Sequence, residues 1–250
     1  MNNPFAPVLD EIRAISDDGF EFVDLTLEPP GAWPVDPDAL RDVFSETGLG
    51  VVGHTAFFLP IASPYPELRG AARDVFARAC DGFRELGADR VNVHPDAVTR
   101  TYPRAEAIAG NADAMTELAE VAAARGLRLM LENVGQFGTV EDLAPVLDVD
   151  DRVGFHLDVG HAHLGGDRLH ALLEAFGDRL AHVHVHDNFG VDDLHLPLGA
   201  GSISWPDVVD AVRGTGYDGT VTIEVFARRY RASSARLWRE WWNGAEATAA

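Results

Sequence analysis

The 250-residue sequence contains no lysine, so all 20 of its basic residues are arginine. That absence removes two chemistries, because a Schiff base with substrate and a pyridoxal-phosphate linkage both need a lysine amine. Cysteine is almost absent as well. Cys80 stands alone, which rules out an internal disulfide and a cysteine-based zinc site. It falls in AARDVFARACDGFREL, a helical pattern in which a small buried residue is expected rather than a nucleophile. No apolar run is long enough to span a membrane and no signal peptide is visible, so a cytoplasmic protein is expected. No glycine-rich phosphate loop follows an early strand, which argues against an open doubly wound sheet. Positive charge is scarce: 40 acidic residues face 20 basic ones, a net charge of −20. The acids are spread along the chain, as expected of a halophilic protein whose acidic surface stays hydrated in a salt-rich cytoplasm. The same excess argues against broad docking on nucleic acid, and leaves only binding through a metal cluster and a few arginines.

What is present is an alternation of short apolar runs with stretches of helical period. The strand candidates are FVDLTLE (22–28), GVVGHTA (50–56), RVNVHPD (90–96), RLMLENV (128–134), VGFHLDV (153–159), AHVHVHD (181–187) and TVTIEVF (220–226). Helical stretches include VLDEIRAISDDGF, PELRGAARDVFARACDGFRELG, AEAIAGNADAMTELAEVAAARG, TVEDLAPVLDV, GDRLHALLEAFGD and SWPDVVDAVRGTG. In the last of these, Ser204 is expected to cap the helix, with proline in its first turn. Such alternation builds a mainly parallel sheet covered by helices. The length suits one α/β domain over 1–250, a TIM (β/α)8-type barrel with a C-terminal helix and tail over 228–250. Only seven strands are recognisable. MNNPFAP is polar and proline-punctuated, so the usual first strand is missing: the chain starts late or the barrel closes imperfectly. The gap between 22–28 and 221–226 is then bridged by other contacts, or left as an edge that favours a homo-oligomer.

Six successive strand candidates finish in metal-ligand residue types: His54, His94, Glu132, Asp158, the histidines of HVHVH, and Glu224. In a parallel barrel the strand ends gather at the C-terminal mouth, so the six point to one shared site. Side chains alternate faces along a strand, which puts His182, His184 and His186 on one face and Val183 and Val185 on the other. His156 lies beneath Asp158 by the same rule. His156 and His182 sit deeper and are read as core residues that orient ligands. Alternation alone leaves the choice between His184 and His186 open. Phe57, Phe58 and Trp33 would line a small-molecule pocket or cap the barrel mouth. Arg100 and Arg104 read as surface arginines rather than anion binders, and His163 and His170 as surface or helix residues.

HLDVGHAH, LENV, NVHPD, HVHDN followed by DLHLPLGAG, and IEV together resemble the xylose isomerase-like barrel superfamily, which contains sugar isomerases, epimerases and the endonuclease IV group. The resemblance runs from about Phe20 to Phe226. Its isomerase and epimerase branch implies one divalent metal (Mn, Mg, Co or Zn) held by Glu132, Asp158, His184 and Glu224. The two glutamates would also serve as acid and base for proton transfer through an enediolate. His161 and His186 would contact a small polyhydroxy substrate such as a sugar, sugar phosphate or keto-cyclitol. The endonuclease IV branch implies three zinc ions and phosphodiester hydrolysis, adding His54, His94, His161, Asp193 and His195 as ligands. Departures from that branch are an acidic, proline-rich LTLEPPGAWPVDPD and an apolar HTAFFLPIASP, where basic DNA-contacting loops are usual. A barrel that binds metal or ligand without catalysis is the third reading.

Overall fold

The computed structural model describes residues 1–32, 35–96, 101–135 and 137–248. They form two compact units, Met1–Glu132 with Glu141–Gly154, and Asn133–Val140 with Phe155–Ala250.

In the first unit, α1 (Val8–Asp17), β1 (Phe22–Thr26), α2 (Pro37–Thr47), β2 (Gly50–His54), α3 (Pro66–Glu85), β3 (Arg90–Val93), α4 (Arg104–Ala123), β4 (Arg128–Glu132) and α5 (Val140–Leu147) follow one another. β1 to β4 are parallel neighbours in chain order. The register sets His54 beside Asn92 and Asn92 beside Met130. Val51, Val91, Val93, Leu129 and Leu131 are buried, as are Phe76, Cys80 and Phe83 of α3. Burial pushes the Cys80 thiol up to about 12. The native thiol should therefore stay silent to a thiolate-specific reagent at pH 8 and react stoichiometrically on denaturation.

No strand occurs in residues 1–7. The exposed ladder of β1 is instead met by Asn2. Its backbone N–H donates to Asp24 O at 3.2 Å, and its side-chain amide donates to Thr26 O at 3.2 Å. The Thr26 N–H donates back to Asn2 Oδ1 at 2.8 Å. One asparagine thus pairs with β1 twice, its amide standing in for a second peptide group. Asn2 thus covers part of the β1 edge that a missing strand would leave open.

In the second unit, β5 (Gly154–Asp158), α6 (Val159–His163), α7 (Leu169–Phe176), β6 (Leu180–Val185), α8 (Trp205–Gly214), β7 (Val221–Ile223) and α9 (Arg231–Thr248) follow in order. β5, β6 and β7 are parallel neighbours, with Asp158 beside His184 and His184 beside Thr222. Trp205 stacks on Trp241 at 5.9 Å and meets Trp238 edge-on, which ties α9 to α8. Ser204 precedes α8 as expected, but its side chain makes no capping hydrogen bond. The strands are shorter than their apolar runs. β3 stops at Val93 and β7 at Ile223, so His94 and Glu224 lie one residue beyond them. Among the described residues no helix is long and apolar enough to cross a membrane.

Candidate metal centre

In the first unit, His54 ends β2, Glu132 ends β4, and His94 follows β3. His94 Nε2 lies 2.9 Å and His54 Nε2 3.4 Å from the same oxygen, Glu132 Oε2. His54 Nδ1 sits 3.1 Å from Thr55 O. A carbonyl only accepts, so Nδ1 carries the hydrogen and Nε2 turns a lone pair inward, the state a metal ligand needs. Asn92 is the residue that sequence reasoning missed. Its amide donates to Glu132 Oε2 and lies 2.9 Å from His54 Nε2. Its position two residues before His94 was the available signal, since both share a face.

In the second unit, Asp158 caps the short helix α6 by accepting from the His161 N–H at 2.6 Å. That cap fixes His161 above it, and explains why the two ligand-type residues are three apart. The amide of Asn133 clamps the Asp158 backbone from both sides, donating to its carbonyl and accepting from its N–H at 2.8 Å each. His161 Nδ1 meets Asn133 O at 3.0 Å and Nε2 meets Asp193 Oδ2 at 3.1 Å. His195 repeats the pattern. Its Nδ1 meets Glu224 O at 3.2 Å, and its Nε2 meets the same Asp193 oxygen at 3.1 Å. His195 holds a φ of 45°, the one positive value outside glycine among the described residues. Strain of that kind persists only where surrounding contacts impose it.

His184 Nδ1 contacts Glu224 Oε2 at 3.0 Å and lies 3.8 Å from Asp158 Oδ2. His186 is fully buried, and neither ring nitrogen makes a hydrogen bond. Its Nε2 faces three carboxylates: Asp158 at 3.2 Å, Asp193 at 3.7 Å and Glu224 at 3.9 Å. Its ring stacks on His195 at 4.1 Å. Buried carboxylates and imidazoles converging on a ring nitrogen that makes no hydrogen bond are a donor set that fits a divalent cation. His182 spends both nitrogens on Thr220 Oγ1 and Thr222 Oγ1, at 2.7 and 2.9 Å, and lies deeper with His156.

The other residues singled out in the sequence have partners of their own or lie outside the described residues. Phe57 and Phe58 are exposed and pack edge-on against each other. Trp33 and Arg100 lie outside the described residues. Arg104 pairs with Asp142, His163 with Ser202 and the exposed His170 with Asp207.

Charge is shared tightly in the second unit. Burial alone would raise the Asp193 pKa, but hydrogen bonds from His161 and His195 hold it well below the usual carboxylate range. Burial would lower that of His195. The Glu224 charge and the Asp193 hydrogen bond outweigh it and raise the value from 6.5 to about 9. Glu224 is buried too, yet His184 and His195 keep it below the ordinary glutamate value. Near neutral pH the protonated form of His195 is thus favoured. Its stabilising contribution is complete below pH 6.5 and is lost as the pH rises through about 9. The Asp193 contribution runs the other way, complete above the ordinary carboxylate value and lost as the pH falls toward its depressed folded value. The melting temperature of chelator-treated protein should therefore fall between about pH 6.5 and 9. Asp193→Asn should flatten that alkaline limb.

A family sequence profile described as "Xylose isomerase-like TIM barrel" matches residues 12–244. The chain belongs to that family. Among xylose isomerase-like relatives, the L-ribulose 3-epimerase of Methylomonas sp. (strain DH-1) is 24% identical over 91% of this chain and 83% of its own length. A probable endonuclease 4 of Mycobacterium leprae (strain Br4923) is 27% identical over 83% of this chain and 86% of its own. A solved structure described as a D-tagatose 3-epimerase-like protein superposes with a TM-score of 0.88 at 25% identity, covering 100% of both chains. A TIM-type barrel is the fold class expected from the strand and helix alternation, and its xylose isomerase-like kind is what the motif resemblance implies.

Proposed function

We propose that this protein is a metal-dependent isomerase or epimerase of a small sugar, sugar phosphate or keto-cyclitol. Asp158, His184 and Glu224 would hold one divalent cation, with Glu132 the ligand that the family resemblance adds. The observation that carries the reading is Glu224: a buried carboxylate, kept ionised by His184 and His195, just past the end of β7. A bound divalent cation supplies Lewis-acid polarisation of a carbonyl and its neighbouring hydroxyl. Glu224 then accepts the proton from the carbon beside that carbonyl, and Glu132 returns one. His161, anchored through Nδ1, would orient a substrate hydroxyl with Nε2. His186, Phe57 and Trp33 are proposed substrate contacts. The epimerase relatives support this reaction class, and burial of the carboxylates supports proton transfer away from bulk water.

A second reading is favoured by one observation. Asp193 Oδ2 bridges His161 and His195 at 3.1 Å each, a further carboxylate and histidine set beyond the one-metal ligands. With His54, His94 and Glu132 it would make a three-zinc phosphodiesterase of the endonuclease 4 kind. The net charge of −20 weighs against DNA as the substrate. Metal analysis of purified protein, paired with an abasic-site oligonucleotide assay, separates the two. We expect ketose isomerisation or epimerisation and no nicking. Three zinc ions per chain with rapid nicking would overturn the first reading.

A further inference from the structure

Asp187, one of three carboxylates between His186 and Trp205, has no part in the proposed chemistry. It is fully buried, and among the described residues no cation pairs with it. Four N–H groups surround it instead. Oδ1 accepts from Asn188 N at 3.0 Å and from Ile203 N at 3.3 Å. Oδ2 accepts from Gly199 N and from the Trp205 indole, both at 2.9 Å. A buried carboxylate is costly unless hydrogen bonds replace its hydration, and four donors saturate this one.

The residues supplying those donors wrap the turn Leu198–Trp205 around Asp187. A Cβ on Gly201 would lie 2.3 Å from both Asp187 Oδ1 and Asn188 O, so the turn closes too tightly for any side chain there. The Asp187 backbone pairs with Leu196 in both directions at 2.9 Å. Leu196 follows His195, the residue held at positive φ. The chain from 187 to 196 is therefore a loop closed at its base by Asp187, with Asp193 and His195 near its returning end. Among the described residues the hydrogen bonds of the Asp187 side chain go to Asn188, Gly199, Ile203 and Trp205, and not to His161, Asp193 or His195.

We infer that Asp187 is the positioning residue for the Asp193–His195 pair, and that its carboxylate sets how well that pair and His161 take up a second divalent cation. The inference rests on the second reading above, in which Asp193, His195 and His161 hold a cation beyond the one-metal ligands. Asp187→Asn keeps the shape and replaces one oxygen with an NH2 group. Whichever way that amide turns, it faces two N–H donors, so the turn loses two of four hydrogen bonds and meets a donor–donor conflict.

The test titrates full-length, chelator-stripped protein with Co2+, following bound metal per chain and amide hydrogen exchange across 187–205. No substrate is needed. In Asp187→Asn we expect the weaker Co2+ to bind at least tenfold less tightly, while the tighter one changes by less than threefold. The amides of Leu196 and Gly199 should exchange at least tenfold faster. Trp205→Phe, which removes one donor and keeps a large ring, should give a smaller loss in the same direction. Asp193→Asn should abolish the weaker Co2+. Asp187→Asn and Asp193→Asn together should match Asp193→Asn alone. Wild-type affinity for both ions in Asp187→Asn, with Asp193→Asn still losing one, would overturn the positioning role alone. Equal loss at both ions would also overturn it, because that marks general destabilisation. A single Co2+ in wild type would overturn the reading beneath it.

Discussion

Glu224→Gln should lower turnover of the proton-transfer substrate by about 10³-fold, within the range that a positioned general acid or base contributes. Glutamine keeps the volume of Glu224 and can still meet His184 Nδ1, now 3.0 Å from Glu224 Oε2. It has no basic oxygen for a carbon-bound proton. The fold should survive, and one divalent ion should still bind through Asp158 and His184, more weakly. KM should move far less than kcat, because the lost interaction belongs to the transition state. Full activity in this variant would show that Glu224 is not the base, whatever else it binds. Loss of activity and of folding together would be uninformative for the base, so circular dichroism and the metal count accompany the kinetics.

The second large effect is steric. Gly160 follows Asp158 by two residues in α6, and a Cβ there would lie 2.0 Å from His186 Cε1. His186 cannot retreat easily: it is fully buried and stacked on His195. Overpacking of this kind costs about 1–3 kcal/mol. For a chain of this length that corresponds to a fall in Tm of roughly 2–12 °C. Gly160→Ala should also displace His186 from the three carboxylates and weaken cation binding in the second unit. Gly70→Ala is the control. Gly70 lies within α3 with nothing within 4 Å of an added Cβ. It should be neutral or stabilising by up to about 1 kcal/mol. An unchanged Tm in Gly160→Ala would mean that His186 is far more mobile than its packing indicates.

Much of this site could be read from residue order, and the limits have physical causes. Alternation along VVGH, LMLE and FHLD shows which face each side chain takes, and β2, β4 and β5 end on His54, Glu132 and Asp158. The same alternation does not show where the hydrogen-bonded ladder stops, so β3 and β7 end one residue short of His94 and Glu224. HVHVH left His184 and His186 equivalent by parity. The structure separates them by partner: His184 contacts Glu224, while the His186 ring makes no hydrogen bond among the described residues. Asp187 carried no visible signal, because its partners are backbone N–H groups and one indole rather than a residue pattern. The positive φ of His195 is likewise set by its surroundings and not by its residue type. Asn2 substitutes for a strand by a side-chain amide, which no periodicity search detects.

The most direct measurement is solvent-deuterium exchange. Protein reloaded with Mn2+ or Co2+ is incubated in D2O with a panel of ketoses, ketose phosphates and keto-cyclitols, and each recovered compound is examined by proton NMR. Proton transfer by Glu224 predicts deuterium at one carbon beside the carbonyl, lost on chelation and lost in Glu224→Gln. No exchange across the panel, with an abasic-site oligonucleotide nicked by the zinc-loaded protein, would contradict the isomerase or epimerase function.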